Sequence, residues 1–157
     1  PQVLGVPLVI PLAWFMMLGP SWAVAYAIIG ERPPSIPVRI SFAVLAGLAM
    51  TAWDLYLDPQ MVGWGFWKWE QPGLYFGIPL VNFAGWFAVA AGVSVIIGPR
   101  RVAALPLLVI YGVVWVFQAI GLAIFWGQPG PAFFGFCAMG LMLGAALLRA
   151  RRTQWTP

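Results

Sequence analysis

The sequence predicts an all-α protein, a polytopic integral membrane helical bundle with about five transmembrane helices. Three observations predict it. Of the 157 residues, 62% are hydrophobic and only 8% are charged, more apolar surface than a soluble domain of this length can hide. The apolar residues fall into five runs near the roughly 20 residues needed to cross a hydrocarbon core. The basic residues sit in short groups at the ends of those runs, which is the pattern of topology signals. The net charge of +4 therefore carries no expectation of nucleic acid.

The elements follow in chain order. The first helix is expected over residues 11–29, with Pro20 inside it as a kink. The second is expected over 38–57, ended by Asp58-Pro59. The third covers 78–97, ended by Gly98-Pro99. The fourth covers 102–126, with Pro106 in its first turns, and the fifth covers 131–148. The loops are "GERPPSIPVR", a Trp-rich segment over 59–77, the tight "GPRR" hairpin and "GQPG", followed by the tail "RARRTQWTP". The whole of 1–157 reads as a single transmembrane domain. The chain begins at Pro1, and its first run lacks the basic region and small-residue cleavage site of a signal peptide. It is expected to be part of a longer protein rather than a processed chain.

Orientation comes from the Lys and Arg positions. Arg32, Arg39, Arg100, Arg101, Arg149, Arg151 and Arg152 fall at one end of the bundle, and only Lys68 at the other. This predicts a multi-pass cell (inner) membrane protein with the Arg-rich loops and C-terminus cytoplasmic and the Trp-rich loop outside.

Absences narrow the chemistry. The chain has no histidine, so His-ligated haem, His-based zinc, His-dependent triads and His-held chlorophyll are excluded. No metal site is expected. One cysteine, Cys137, cannot form an internal disulfide, and its apolar surroundings predict a small core residue.

Against this background one segment stands out. "WDLYLDPQMVGWGFWKWEQPGLYFGIPLVNFAGW", from Trp53 to Trp86, holds three of the four acidic residues and five of the ten tryptophans. Asp54 and Asp58 are four apart and share a helix face, which Thr51 and Gly47 extend inward. Asp54 lies one turn deeper than Asp58, about 6 Å by helix rise. An acid there is costly unless it is paired, neutral or beside water. Asn82 and Trp86 form a second pair four apart at the start of the third helix, and Gln118 lies about two turns from the same end of the fourth. Thr51, Asp54, Asn82 and Gln118 thus gather in one half of the membrane, while the other half offers little beyond Ser41 and Ser94. Simpler roles exist for most of these residues. Asp58 suits a helix end, and Trp64, Trp67 and Trp69 suit an interfacial belt. Asn82 and Gln118 suit interhelical hydrogen bonds. Lys68 and Glu70 suit a solvated pair, and Gly140 with Gly144 suits close helix packing. Asp54 is hardest to explain without function.

The same stretch resembles the signature of the carotenoid biosynthesis membrane proteins, the CruF-type and bisanhydrobacterioruberin hydratases. The resemblance rests on Leu57-Asp58-Pro59, Trp67-Lys68-Trp69, Tyr75-Phe76-Gly77-Ile78-Pro79 and Asn82-Phe83-Ala84-Gly85-Trp86, preceded by Asp54. It covers about thirty residues strongly and the flanking helices by hydropathy. It implies hydration of the ψ end of an acyclic or monocyclic carotene to a tertiary alcohol. The carotenoid would be substrate or bound pigment, and no cofactor would be required.

That chemistry suits the residues. Hydrating a trisubstituted alkene begins with protonation, and burial in an apolar setting is the general way to keep a carboxylic acid protonated near neutral pH. Asp54, the deeper acid, is the expected donor, with Asp58 orienting water or relaying protons, or the two exchange roles. Asn82 could hold the water. Trp53, Trp86 and Trp67 or Trp69 would face the cation, with Thr51 and Gln118 completing the substrate site. Carotenoid and lipid are the expected partners. Two other readings stay open at this point. One is a non-catalytic carotenoid-binding subunit of a larger, photosynthetic membrane complex. The other is an end-group cyclase, in which a second double bond traps the same cation.

Overall fold

The fold comes from a computed structural model that describes residues 2–3, 6–7, 9–99 and 104–154. Two short strands, β1 (Gln2–Val3) and β2 (Val6–Pro7), pair antiparallel with Val3 opposite Val6. Five helices follow: α1 (Val9–Ile29), α2 (Ile36–Gly63), α3 (Leu80–Ile97), α4 (Ala104–Ile120) and α5 (Pro129–Gln154). All five are long and apolar enough to cross a membrane, the fourth when its continuation to Phe125 is included, and large side chains such as Phe15, Ile96, Leu105, Ile124 and Leu141 point outward from the bundle. Facing lipid, such side chains lose nothing by exposure, whereas in water they would. The all-α polytopic bundle is the observed architecture, and the chain is a multi-pass membrane protein.

Helix ends follow local chemistry. Ser35 caps α2, its hydroxyl accepting from the Val38 amide at 3.4 Å, and Pro37 sits in the first turn, where no N–H is needed. Pro79 precedes α3, and Pro129 opens α5, two residues before the expected start. α1 runs through Pro20 as one helix. Beyond Ile120, α4 widens into a π-turn over Gly121–Phe125, where the Trp126 amide reaches the Gly121 carbonyl.

The clearest departure from expectation is the end of α2. The helix does not stop at Asp58-Pro59 but continues to Gly63. Proline has no N–H for the carbonyl four residues back, here that of Leu55. The Tyr75 hydroxyl donates to that carbonyl at 3.0 Å, so the gap in the ladder is closed from outside the helix.

α2 is the axis of the bundle. It touches all four other helices, and its buried stripe includes Phe42, Met50, Trp53, Tyr56 and both aspartates. Around it, the Tyr111 hydroxyl donates to the Ala49 carbonyl at 3.0 Å and that of Tyr56 to the Trp115 carbonyl at 3.1 Å. At the Arg-rich end, Arg39 donates to the Val95 and Ile96 carbonyls at 2.5 and 2.8 Å. A residue read as a topology signal therefore also caps α3, where a cation suits the helix dipole. Gly140 behaves as expected of a packing residue, because a Cβ there would meet the Trp115 indole at 2.9 Å. Cys137 does not. It is exposed on the outer surface of α5, where lipid serves an apolar thiol as well as a core would. Arg100, Arg101 and Val102 lie outside the described residues, as do the side chains of Arg151 and Arg152 and the tail over 155–157.

Candidate functional site

The site assembles where the Trp-rich loop meets the ends of α2 and α3. Asp54 and Asp58, one turn apart on α2, are both buried, Asp54 completely. Across from them, the Asn82 side-chain amide donates to Asp54 Oδ2 and to Asp58 Oδ2, each at 2.9 Å. One NH2 group thus serves two carboxyl groups. From the loop, Trp67 Nε1 donates to Asp58 Oδ1 at 2.7 Å. Trp69 turns its Nε1 toward the same carboxyl group without forming a bond of good geometry. Asp58 is thereby held on both oxygens. Asp54 is held on one, and its Oδ1 is buried with no hydrogen-bond partner among the described residues. A buried polar atom left open in this way calls for an explanation, and a reacting partner is one.

The loop reaches this position through a tight hairpin. The Ile78 amide donates to the Tyr75 carbonyl at 2.9 Å and the Gly73 amide to that of Gly77 at 2.9 Å. Both central residues have positive φ, 48° at Phe76 and 85° at Gly77, the signature of a type I′ turn. Glycine takes that conformation freely, whereas phenylalanine does not. Phe76 is held by ring contacts with Tyr75 and Phe134, at 4.9 and 6.1 Å between centroids. Tyr75 is packed in turn against Phe83 and Phe134 at 5.1 and 6.0 Å. Burial, and then the Asp54 carboxyl group, hold the Tyr75 phenol above its ordinary range, so it remains a neutral donor.

Three indoles pack together on α1, α2 and α3. Trp86 stacks on Trp14 of α1 at 4.5 Å and meets Trp53 edge-on at 6.0 Å. Trp53 is buried, and its Nε1 has no partner among the described residues. Trp64 behaves differently from Trp67 and Trp69. It is exposed and packs edge-on against Trp126 at 5.1 Å, as an interfacial belt residue would.

This segment with its flanking helices matches a family model described as "Carotenoid biosynthesis protein" over residues 1–141. The chain belongs to that family. It is also similar to a bisanhydrobacterioruberin hydratase of Haloarcula japonica, 37% identical over 87 residues. Those residues make up 55% of this chain and 28% of the relative, so the chain spans well under two thirds of the relative's length. No solved structure matches.

Of the residues singled out in the sequence, the structure brings together Asp54, Asp58, Asn82 and Trp67, with Trp69 alongside and Trp53 and Trp86 as a neighbouring pair. Two stand apart. The Thr51 hydroxyl folds back onto its own helix, donating to the Gly47 carbonyl at 2.8 Å, a local bond that short hydroxyl side chains readily make. Gln118 lines a separate groove of about 440 Å³ with Gln60, Phe125 and Trp126. Helix periodicity explains that separation, since Gln60 lies two residues beyond Asp58 and faces nearly the opposite way.

Sequence reasoning missed three participants. Tyr75 was visible only as a letter in a motif, although a proline inside an expected helix should prompt a search for a donor to the orphaned carbonyl. Gln128 joins the α4–α5 turn to α2 by donating to the Pro59 carbonyl at 3.1 Å. Trp14 completes the indole stack. For Gln128 and Trp14 the sequence carries no signal, because their partners are distant in the chain.

Proposed function

We propose that this chain carries the acid–base site of a carotenoid hydratase, which adds water across the terminal ψ-end double bond of an acyclic or monocyclic carotene. The observation that carries the reading is the bridge from half-buried Asn82 to the buried Asp54 and Asp58, with one Asp54 oxygen left open. In this scheme Asp54 holds the proton and gives it to the less substituted CH carbon of the terminal double bond. The electron pair of the double bond forms the new C–H bond, and a tertiary carbocation remains. The indole faces of Trp53 and Trp86 attract positive charge and favour that cation. Water held near Asn82 and Asp58 attacks it to form the C–O bond, and the proton lost from the attacking water passes to Asp58. Proton exchange between the two carboxyl groups through water resets the site. The net change is alkene plus water to tertiary alcohol, and the scheme calls for no redox cofactor.

The family membership and the similarity to a bisanhydrobacterioruberin hydratase support this reading. The substrate is apolar and already dissolved in the bilayer, so it can enter between helices. Water needs a route only to the Trp-rich end. We also take the Arg-rich end as cytoplasmic, which places the acids in the outer half of the membrane. Labelling the C-terminus in intact cells checks this, and a label reached from outside would reverse it.

The experiment for the activity is expression of the full-length protein in cells that make an acyclic or one-ended carotene, grown in heavy-oxygen water. A product that is more polar and heavier by one labelled water is expected. A cyclised product of unchanged mass would replace hydration with end-group cyclisation. Unchanged carotene that co-purifies with the protein would favour a binding role.

A further inference from the structure

We infer that Tyr75 is a positioning residue for the two aspartates, acting as a replacement for the backbone donor that Pro59 lacks. The inference rests on the proposed hydratase site and deepens it. The Leu55 carbonyl lies between Asp54 and Asp58 on α2. In an unbroken helix it would accept from the amide of residue 59, and proline has none to give. The Tyr75 hydroxyl donates to it at 3.0 Å. The donor does not reach this point by chance of exposure, because its ring is clamped by Phe83, Phe134 and Phe76. The clamp depends on a turn that forces Phe76 to a φ of 48°, a conformation kept only when surrounding contacts over-determine it.

The geometry of the acids shows what the bond secures. Asn82 reaches both carboxyl groups from a single nitrogen at equal distances of 2.9 Å. That requires Asp54 and Asp58 to stay one regular turn apart. Without a donor for Leu55, a proline at position 59 would end or bend the helix inside that turn, and Asp58 would move away from Asn82. The Trp-rich loop therefore does two things at the site. Trp67 binds Asp58 directly, and Tyr75 keeps the helix that carries both acids.

Restoring the missing N–H tests this. Full-length parent, Tyr75→Phe, Pro59→Ala and the double variant are compared by amide hydrogen exchange in lipid nanodiscs and by carotene hydration. Tyr75→Phe should speed exchange over 55–63 on the order of tenfold, as expected for a buried carbonyl that loses its partner. It should lower kcat with KM little changed. Pro59→Ala alone should leave exchange over this segment as in the parent. In the double variant the backbone amide restored at position 59 can serve Leu55, and exchange and kcat should both return to within about threefold of the parent.

A double variant as defective as Tyr75→Phe would overturn the inference, since Tyr75 would then matter for its ring packing or for some other contact. Parental exchange in Tyr75→Phe would overturn it as well. Exchange does not depend on turnover. If exchange follows the expected pattern while no variant, nor the parent, hydrates carotene, the helix-completing role of Tyr75 stands and the hydratase reading fails.

Discussion

The two ends of the bundle handle buried polar groups in opposite ways. At the Arg-rich end, the Ser94 hydroxyl donates to the Ala90 carbonyl at 2.6 Å and accepts from Trp22 Nε1 at 2.8 Å. Arg39 satisfies two terminal carbonyls of α3. At the Trp-rich end, Trp53 Nε1, Asp54 Oδ1, Trp69 Nε1, Gln118 Oε1 and Gln128 Oε1 are buried without hydrogen-bond partners among the described residues. Each such atom is destabilising in a membrane interior, where no bulk water compensates. One end is built as a scaffold. The other leaves several polar atoms without a partner among the described residues, Asp54 Oδ1 among them, and in the proposed reaction that oxygen is the one that faces water and substrate.

That contrast predicts how substitutions should rank. The largest effect is expected for Asp54→Asn, which keeps the shape of the side chain but cannot supply the proton. Carotene hydration should fall by about 10²-fold or more, with the protein still eluting as a folded species in detergent. Full activity in this variant would erase the functional distinction between the ends. Next comes Asn82→Leu, which leaves two buried carboxyl groups without their shared donor. It should lower stability by about 1–3 kcal/mol and reduce turnover, both measurable by thermal unfolding and product analysis. A variant as stable as the parent would mean that the bridge contributes nothing to holding the acids.

Trp67→Phe keeps an aromatic ring in the loop and removes only the donor to Asp58. Turnover should drop by roughly tenfold, in line with one lost hydrogen bond to a carboxyl group, and stability should change less than in Asn82→Leu. At the Arg-rich end, Ser94→Ala should cost at most about 1–2 kcal/mol, from the Trp22 donor it strands, and leave turnover unchanged. Loss of hydration in this variant at normal stability would show that the scaffold end takes part in the reaction.

Much of this arrangement was legible in the sequence, for reasons of periodicity and solvent. Five apolar runs can only be spans when each is long enough to cross hydrocarbon and too greasy for water. The four-residue spacing of Asp54 and Asp58 puts them on one face by helix geometry alone, and the concentration of acids and indoles between Trp53 and Trp86 marked the end of the bundle where Asp54, Asp58, Asn82 and Trp67 meet. These are properties of chain position, so the chain alone determined them. Which of the gathered residues touch was decided by tertiary structure. Thr51 lies on the expected face yet bonds to its own helix, and Gln118 is at the expected depth yet faces another groove. Tyr75 looked like a loop residue and instead completes α2 through Pro59. Depth and face follow from rise and angle along one helix, whereas a hydrogen bond between residues distant in the chain depends on how helices rotate and pack against one another. That packing joined Asn82 to both acids and placed a phenol where a proline had left a carbonyl unserved.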